Sequence, residues 1–119
     1  MAQTLFQKYG GFAALSKLVL TFYDRLLDSP RLAPYFANTD MRTLVDHQTK
    51  FVASLMGGPA SFSDEVLRRS HRNLKIDKEA FDEMLRVFAE TLEDFNLEAQ
   101  DVARIVQQMR SREHLIVTV

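Results

Sequence analysis

The sequence predicts an all-α fold, and three observations carry that expectation. Apolar residues recur at helical spacing through nearly the whole chain, and no stretch alternates as a half-buried strand must. Glycine and proline fall in groups, at Gly10-Gly11, Pro30 with Pro34, and Gly57-Gly58-Pro59, which divide the periodic stretches. Polar residues suited to N-capping stand ahead of those stretches, at Thr39 or Asp40, Ser63 or Asp64, and Asp77.

A short first helix is expected from about Thr4 to Tyr9, ended by the glycine pair. The second, Phe12 to Leu27, puts Leu15, Leu18, Val19, Phe22 and Leu26 on one face. Pro30 and Pro34 then force a turn-rich connection into Tyr35-Phe36. A third helix reaches about Leu55, and a shorter, Arg-rich one runs from Ser63 or Asp64 to about Asn73. Asp77 opens a long helix to Phe95, with Phe81, Leu85, Phe88, Leu92 and Phe95 in register. A last helix from about Leu97 carries Val102, Ile105, Val106 and Met109 and runs into Leu115-Ile116-Val117. Four substantial helices and two short ones result.

At 119 residues, with no linker or repeat, the chain is expected to form one domain spanning residues 1–119. Its 46% hydrophobic and 26% charged residues are those of a globular protein, and nine Phe give it an aromatic core. Fifteen Lys and Arg against sixteen Asp and Glu offer no overall footprint for nucleic acid or an anionic membrane. The absence of cysteine excludes disulfides, thiolate metal sites and a cysteine nucleophile. Lys8 and Lys17 interrupt the early apolar stretch and all apolar runs are short, so neither a secretory signal nor a membrane span is expected. The expected location is the cytoplasm.

The third helix is where the pattern departs from a plain core. Met41, Leu44, Phe51 and Leu55 occupy an arc of about 80°. Gln48 falls in the middle of that arc and His47 at its edge. On the short fourth helix His71 sits between Leu67 and Leu74. A lone inward His or Gln is commonly a hydrogen-bonded core residue, and that reading stands for each taken singly. Together they place imidazoles on two walls of one apolar space, with Tyr23 beside the Phe22/Leu26 face as a hydroxyl donor. Such a space suits haem, whose iron takes an imidazole and whose macrocycle packs on aromatics. Zinc fits poorly without an inward carboxylate or Cys. No H-E-x-x-H or nucleophile elbow points to a hydrolase.

Over its whole length the chain resembles the group I truncated haemoglobins, short globins with a two-over-two helical sandwich around haem. The resemblance rests on Leu5-Phe6-Gln7-Lys8-Tyr9-Gly10-Gly11, Phe22-Tyr23-Asp24-Arg25, Tyr35-Phe36-Ala37-Asn38-Thr39-Asp40-Met41, His47-Gln48-Thr49-Lys50-Phe51 and Leu55-Met56-Gly57-Gly58-Pro59, with His71 in its short helix. It implies that His71 is the proximal haem ligand. It makes Tyr23 and Gln48 the distal donors to dioxygen, and has Phe36, Leu44 and Phe51 pack the haem. Arg68 matches a basic position that pairs with a propionate.

The histidine pattern is similar to that of cyanobacterial members. This implies His47 as a sixth iron ligand in the resting state, against the plainer reading in which it faces solvent or a propionate. It also implies a bond from His114 to a vinyl carbon of haem b, against a plain surface histidine. Arg69 and Lys50 are candidates for further propionate contacts or, more simply, members of a solvated helix face. Phe62 replaces a tyrosine usual in this family, and Val52 stands where some relatives carry a phenylalanine gate. The implied function is binding of O2, NO and CO by a cytoplasmic monomer, with nitric oxide dioxygenation sustained by an external reductase. Two competitors remain: a haem protein for electron transfer or peroxide and reactive-nitrogen handling, and a cofactor-free helical interaction module.

Overall fold

The computed structural model describes residues 3–59 and 63–119. Helix α1 (Leu5–Lys8) is a single turn held by a reciprocal cap. Thr4 Oγ1 accepts from the Gln7 amide and Gln7 Oε1 accepts from the Thr4 amide, each at 3.1 Å. The chain then reverses at Gly10, whose φ of 100° suits a residue without a Cβ; an added Cβ would lie 2.9 Å from that of Ala14. Helix α2 (Gly11–Leu27) buries all five residues expected on its inner face, together with Tyr23.

The expected caps form. Asp40 accepts from the Arg42 and Thr43 amides at the start of α3 (Met41–Leu55), Ser63 from Val66 at α4 (Asp64–His71), and Asp77 from Ala80 at α5 (Lys78–Asp94). Between α2 and α3 the two prolines lead into a 3-10 turn, Ala33–Phe36, with Pro34 in its first positions. Helix α4 stops at His71, two residues short of expectation.

The single last helix expected from the sequence is instead two, α6 (Ala99–Arg110) and α7 (Glu113–Ile116). Arg112, at φ −104° and ψ 7°, leaves the helical line, and the chain turns so that α7 packs on α4. Leu115 and Ile116 become buried there. Thr118 N–H donates to the Ile76 carbonyl at 2.9 Å, tying the end of the chain to the segment after α4. The short helix that carries His71 is thus braced from the chain terminus.

Two helix pairs form the body, α2 with α3 and α5 with α6, and they meet where α2 packs on α5. The described residues are helical or irregular, with no strand among them. At the junction the Phe22 and Phe88 rings lie 5.1 Å apart, Val19 and Leu92 are wholly buried, and Phe81 and Ile105 extend the core toward α6. Burying each such side chain contributes roughly 1.5–3 kcal/mol. Arg25 crosses the same junction, donating to Thr91 Oγ1 at 3.1 Å and pairing with Asp94 at 2.8 Å. Helix α1 has no fully buried side chain; Leu5 and Phe6 pack partly buried against the core, and polar contacts add to this. The buried Asp101 of α6 accepts from Lys8 Nζ at 2.7 Å and from the Tyr9 hydroxyl.

Candidate functional site: an apolar cavity between a tyrosine–glutamine wall and a histidine wall

The helix pairs leave a cavity of about 750 Å³ lined by α2, the 3-10 turn, α3, α4 and α5, with Met109 and Ile116 also in its lining. Its walls are mostly Phe, Leu, Val, Ile and Met, and its polar groups are few. That is the usual make-up of a small-molecule or cofactor pocket, in which sparse polar atoms fix orientation.

One wall is built by α2 and α3. Tyr23 is buried, braced by ring contacts with Phe22 at 5.0 Å and with Phe36 at 5.6 Å, both edge-on. Its hydroxyl has the Gln48 side-chain amide as hydrogen-bonding neighbour. Burial pushes the phenol well above its ordinary titration range and the Gln48 contact only partly opposes this, so Tyr23 keeps its proton at any neutral pH. The wall therefore presents an O–H and an amide N–H in an otherwise apolar space. Leu44, Phe51 and Val52 supply the surrounding surface, and His47 lines the cavity from the exposed side of α3.

The opposite wall is α4. Leu67 is buried, and His71, one turn later, lines the cavity. His71 Nδ1 lies 2.7 Å from the Leu67 carbonyl oxygen and 3.3 Å from Ser70 Oγ. A carbonyl can only accept, so Nδ1 carries the proton in this contact, and in the neutral imidazole Nε2 is the nitrogen with the lone pair. This arrangement fixes the tautomer and the ring orientation in the manner of metal-ligating histidines.

Of the residues singled out in the sequence, Tyr23, Phe36, Leu44, His47, Gln48, Phe51 and His71 come together around this cavity. Two do not. Arg68 is exposed on the outer side of α4, 3.7 Å from Glu65, and His114 is exposed on α7. Neither is part of the cavity lining. Lys50 is paired with Asp46 at 3.2 Å and Arg69 lies 3.8 Å from Glu65, both on solvated helix faces. Phe62 lies outside the described residues.

Sequence reasoning passed over Tyr35, Ser70, Met84, Met109 and Ile116, which also line the cavity. Met109 stood in the apolar register of the last helix and was indistinguishable from ordinary core. Asp40, Thr39 and Thr43 add a polar margin, with Thr43 Oγ1 donating to Asp40 at 2.9 Å. That bond, with two backbone amides, holds the Asp40 carboxyl below the usual carboxylate range.

A family model for bacterial-like globins matches residues 4–118. The chain belongs to that family. Among its relatives a group 1 truncated hemoglobin of Tetrahymena thermophila is 29% identical over 110 residues, covering 90% of this chain and 91% of that one. The structure of the Tetrahymena pyriformis truncated hemoglobin in its Fe(III) form superposes with a TM-score of 0.88 at 25% identity, covering 98% of this globin and all of the other chain. A Synechococcus 2/2 hemoglobin, determined in the cyanomet state with covalently attached heme, also gives 0.88 at 26% identity, over 97% and 98% of the two chains. The fold of this globin is accordingly the two-over-two truncated globin fold.

Membership implies haem and small gaseous ligands such as O2, and the residues present suit that group. The cavity is apolar enough to hold a macrocycle, and His71 offers it a nitrogen of fixed tautomer. Among the described residues no three His, Cys, Asp or Glu side chains converge. No helix among them is long and apolar enough to cross a membrane.

Proposed function

We propose that this globin binds O2, NO and CO through haem b held by His71 Nε2, and that it turns over nitric oxide as a dioxygenase with an external reductase in the cytoplasm. The observation that carries this reading is the commitment of His71 Nδ1 to the Leu67 carbonyl. It leaves one imidazole lone pair for a metal on one wall, across the cavity from the Tyr23–Gln48 pair. When bound, haem supplies the iron that takes the gaseous ligand and the redox chemistry that nitrate formation requires.

The rest is the work of the chain. Phe36, Leu44 and Phe51 exclude water and pack the macrocycle. The Tyr23 hydroxyl, kept protonated by burial, donates to a ligand that carries partial negative charge, and the Gln48 amide positions that hydroxyl or adds a second donor. Arg68 has the reach of a long cationic side chain toward a propionate at the cavity margin.

His47 lines the cavity, and this supports it as a competing sixth ligand. Where its ligation persists against O2, the protein serves electron transfer or peroxide and reactive-nitrogen handling instead. His114 on α7 is proposed as the attachment point for a haem vinyl group, on the likeness to the Synechococcus protein with covalently attached heme.

Absorption spectra of the purified protein supplied with haemin test the reading. A strong Soret band is expected, with ferrous spectra that change on adding O2 or carbon monoxide. A protein that stays colourless would overturn it in favour of a cofactor-free helical module. For the covalent link, haem that survives extraction by acidified organic solvent in the reduced-and-reoxidised protein, but not in His114→Ala, is the expected result. Complete extraction from both would remove the proposal.

A further inference from the structure

We propose that the exposed cationic face of α4 and the turn after it docks an acidic redox protein; taking that partner as the electron donor rests on the function proposed above. Arg69 on α4 and Arg72 at its C-cap lie about 60° apart on the helix, turned away from Leu67 and His71, with Arg68 at the margin of this face nearer the cavity. Lys75 follows in the turn. Arg68 and Arg69 share one acid, Glu65, at 3.7 and 3.8 Å, and all three side chains are more than half exposed, so these pairs hold the arginines weakly. Among the described residues the Arg72 and Lys75 side chains have no ion pair or hydrogen bond, and both residues are exposed. With Glu65 counted as part of this face, eleven Lys and Arg stand against fifteen Asp and Glu elsewhere in the chain. The four cations of this face thus stand on a chain whose remaining charge is net acidic.

Lys75 extends this face. Its φ is 55°, in the left-handed region that glycine enters without steric penalty and a lysine does not. Cations near the end of α4 complement the helix dipole, which accounts for arginines in the last turn but not for a lysine beyond it. Lys75 in this turn adds an exposed cation beyond the helix end.

Carboxylates are the natural partners. Guanidinium forks take them in bidentate pairs, and a compact acidic protein face matches a patch spanning only residues 68–75. An extended polyanion such as nucleic acid would run from this patch onto acidic surface. Arg72 directly follows His71, so a protein seated here rests against the outer side of the helix that carries the proposed haem ligand.

Binding of the haem-loaded globin to an acidic [2Fe–2S] ferredoxin, used as the probe, tests this by calorimetry from about 20 to about 200 mM salt. The wild-type protein is expected to bind with affinity that falls with salt, and Arg69→Glu/Arg72→Glu to bind at least about tenfold more weakly with a flatter salt dependence. Lys75→Gly is expected to weaken binding while raising Tm. In amide NMR titrations the shifts should map to residues around Arg69, Arg72 and Lys75. Equal affinity of wild type and the double variant, shifts on another face, or preference for a DNA oligonucleotide or anionic vesicles would each overturn the docking surface. Failure to take up haem, seen first from the Soret band, overturns the functional reading instead, so the two failures are distinguishable.

Discussion

His71 directs its Nδ1 at the Leu67 carbonyl oxygen, 2.7 Å away and one turn earlier on the same short helix. The bond forms within α4, which the C-terminal α7 braces from outside. The imidazole is thereby fixed by local geometry before any ligand is considered, and only Nε2 remains for the cavity.

Removing that imidazole should remove the cofactor. His71→Gly is expected to lose the Soret band on purification, with exogenous imidazole restoring part of it. Retention of haem with an unchanged spectrum would assign the proximal role elsewhere.

Tyr23 and Gln48 should act on O2 far more than on CO, because only the former accumulates negative charge that a donor can stabilise. A hydrogen bond to a charged group contributes about 1.5–3 kcal/mol, so Tyr23→Phe should speed O2 release by roughly tenfold or more. Gln48→Leu should act in the same direction. Stopped-flow dissociation of both gases measures this. Because the Tyr23 titration lies above its ordinary range, the O2 rate should show no ionisation of this phenol at neutral or mildly alkaline pH.

His47 lines the cavity from the exposed side of α3. Its replacement should convert a low-spin ferric spectrum into a high-spin or water-ligated one. Identical visible spectra for the wild type and His47→Ala would exclude it as the sixth ligand.

Asp101 links α1 to α6 and should govern acid stability. Hydrogen bonds from Lys8, then Tyr9, hold its carboxyl below the ordinary range in the folded protein. The folded state thus favours the charged form. Its stabilising contribution is complete above the unfolded value of about 3.9 and is lost as pH falls through the lower folded value. Asp101→Asn should therefore lower Tm at neutral pH and narrow the gap to wild type near pH 3. A constant Tm difference across that range would show that its ionisation is not coupled to folding.

Phe88 has no exposed surface and packs on Phe22 at the crossing of α2 and α5. Phe88→Ala should cost about 3–5 kcal/mol, as large-to-small changes in a close-packed core do. Urea unfolding with an unchanged slope and a lower midpoint is the expected signature.

Much of this was legible in the sequence because it is local. A 3.6-residue period identifies which side of a helix is apolar, and it placed Phe81, Leu85, Phe88 and Leu92 of α5 in the core correctly. The capping residues Asp40, Ser63 and Asp77 lie within a few residues of the amides they satisfy. The same wheel singled out Gln48 and His71 as polar groups on apolar faces. The break between α6 and α7 was not legible, since Leu115 and Ile116 continue the apolar register and only packing on α4 requires the bend. Nor was the role of Asp101, because nothing near it in sequence announces Lys8 and Tyr9, more than ninety residues away.

By itself, then, the sequence determined the all-helical class, the capping residues, the inner faces of the helices and the motifs of a truncated globin. Only the tertiary structure decided which walls face one another. It brought His47 and His71 to one cavity and left His114 outside its lining, and it set Tyr23 beside Gln48 against Phe36. The physical reason is that helical periodicity reports a side chain's direction relative to its own axis. The partner it meets depends on how separate helices cross, which contacts distant in sequence determine.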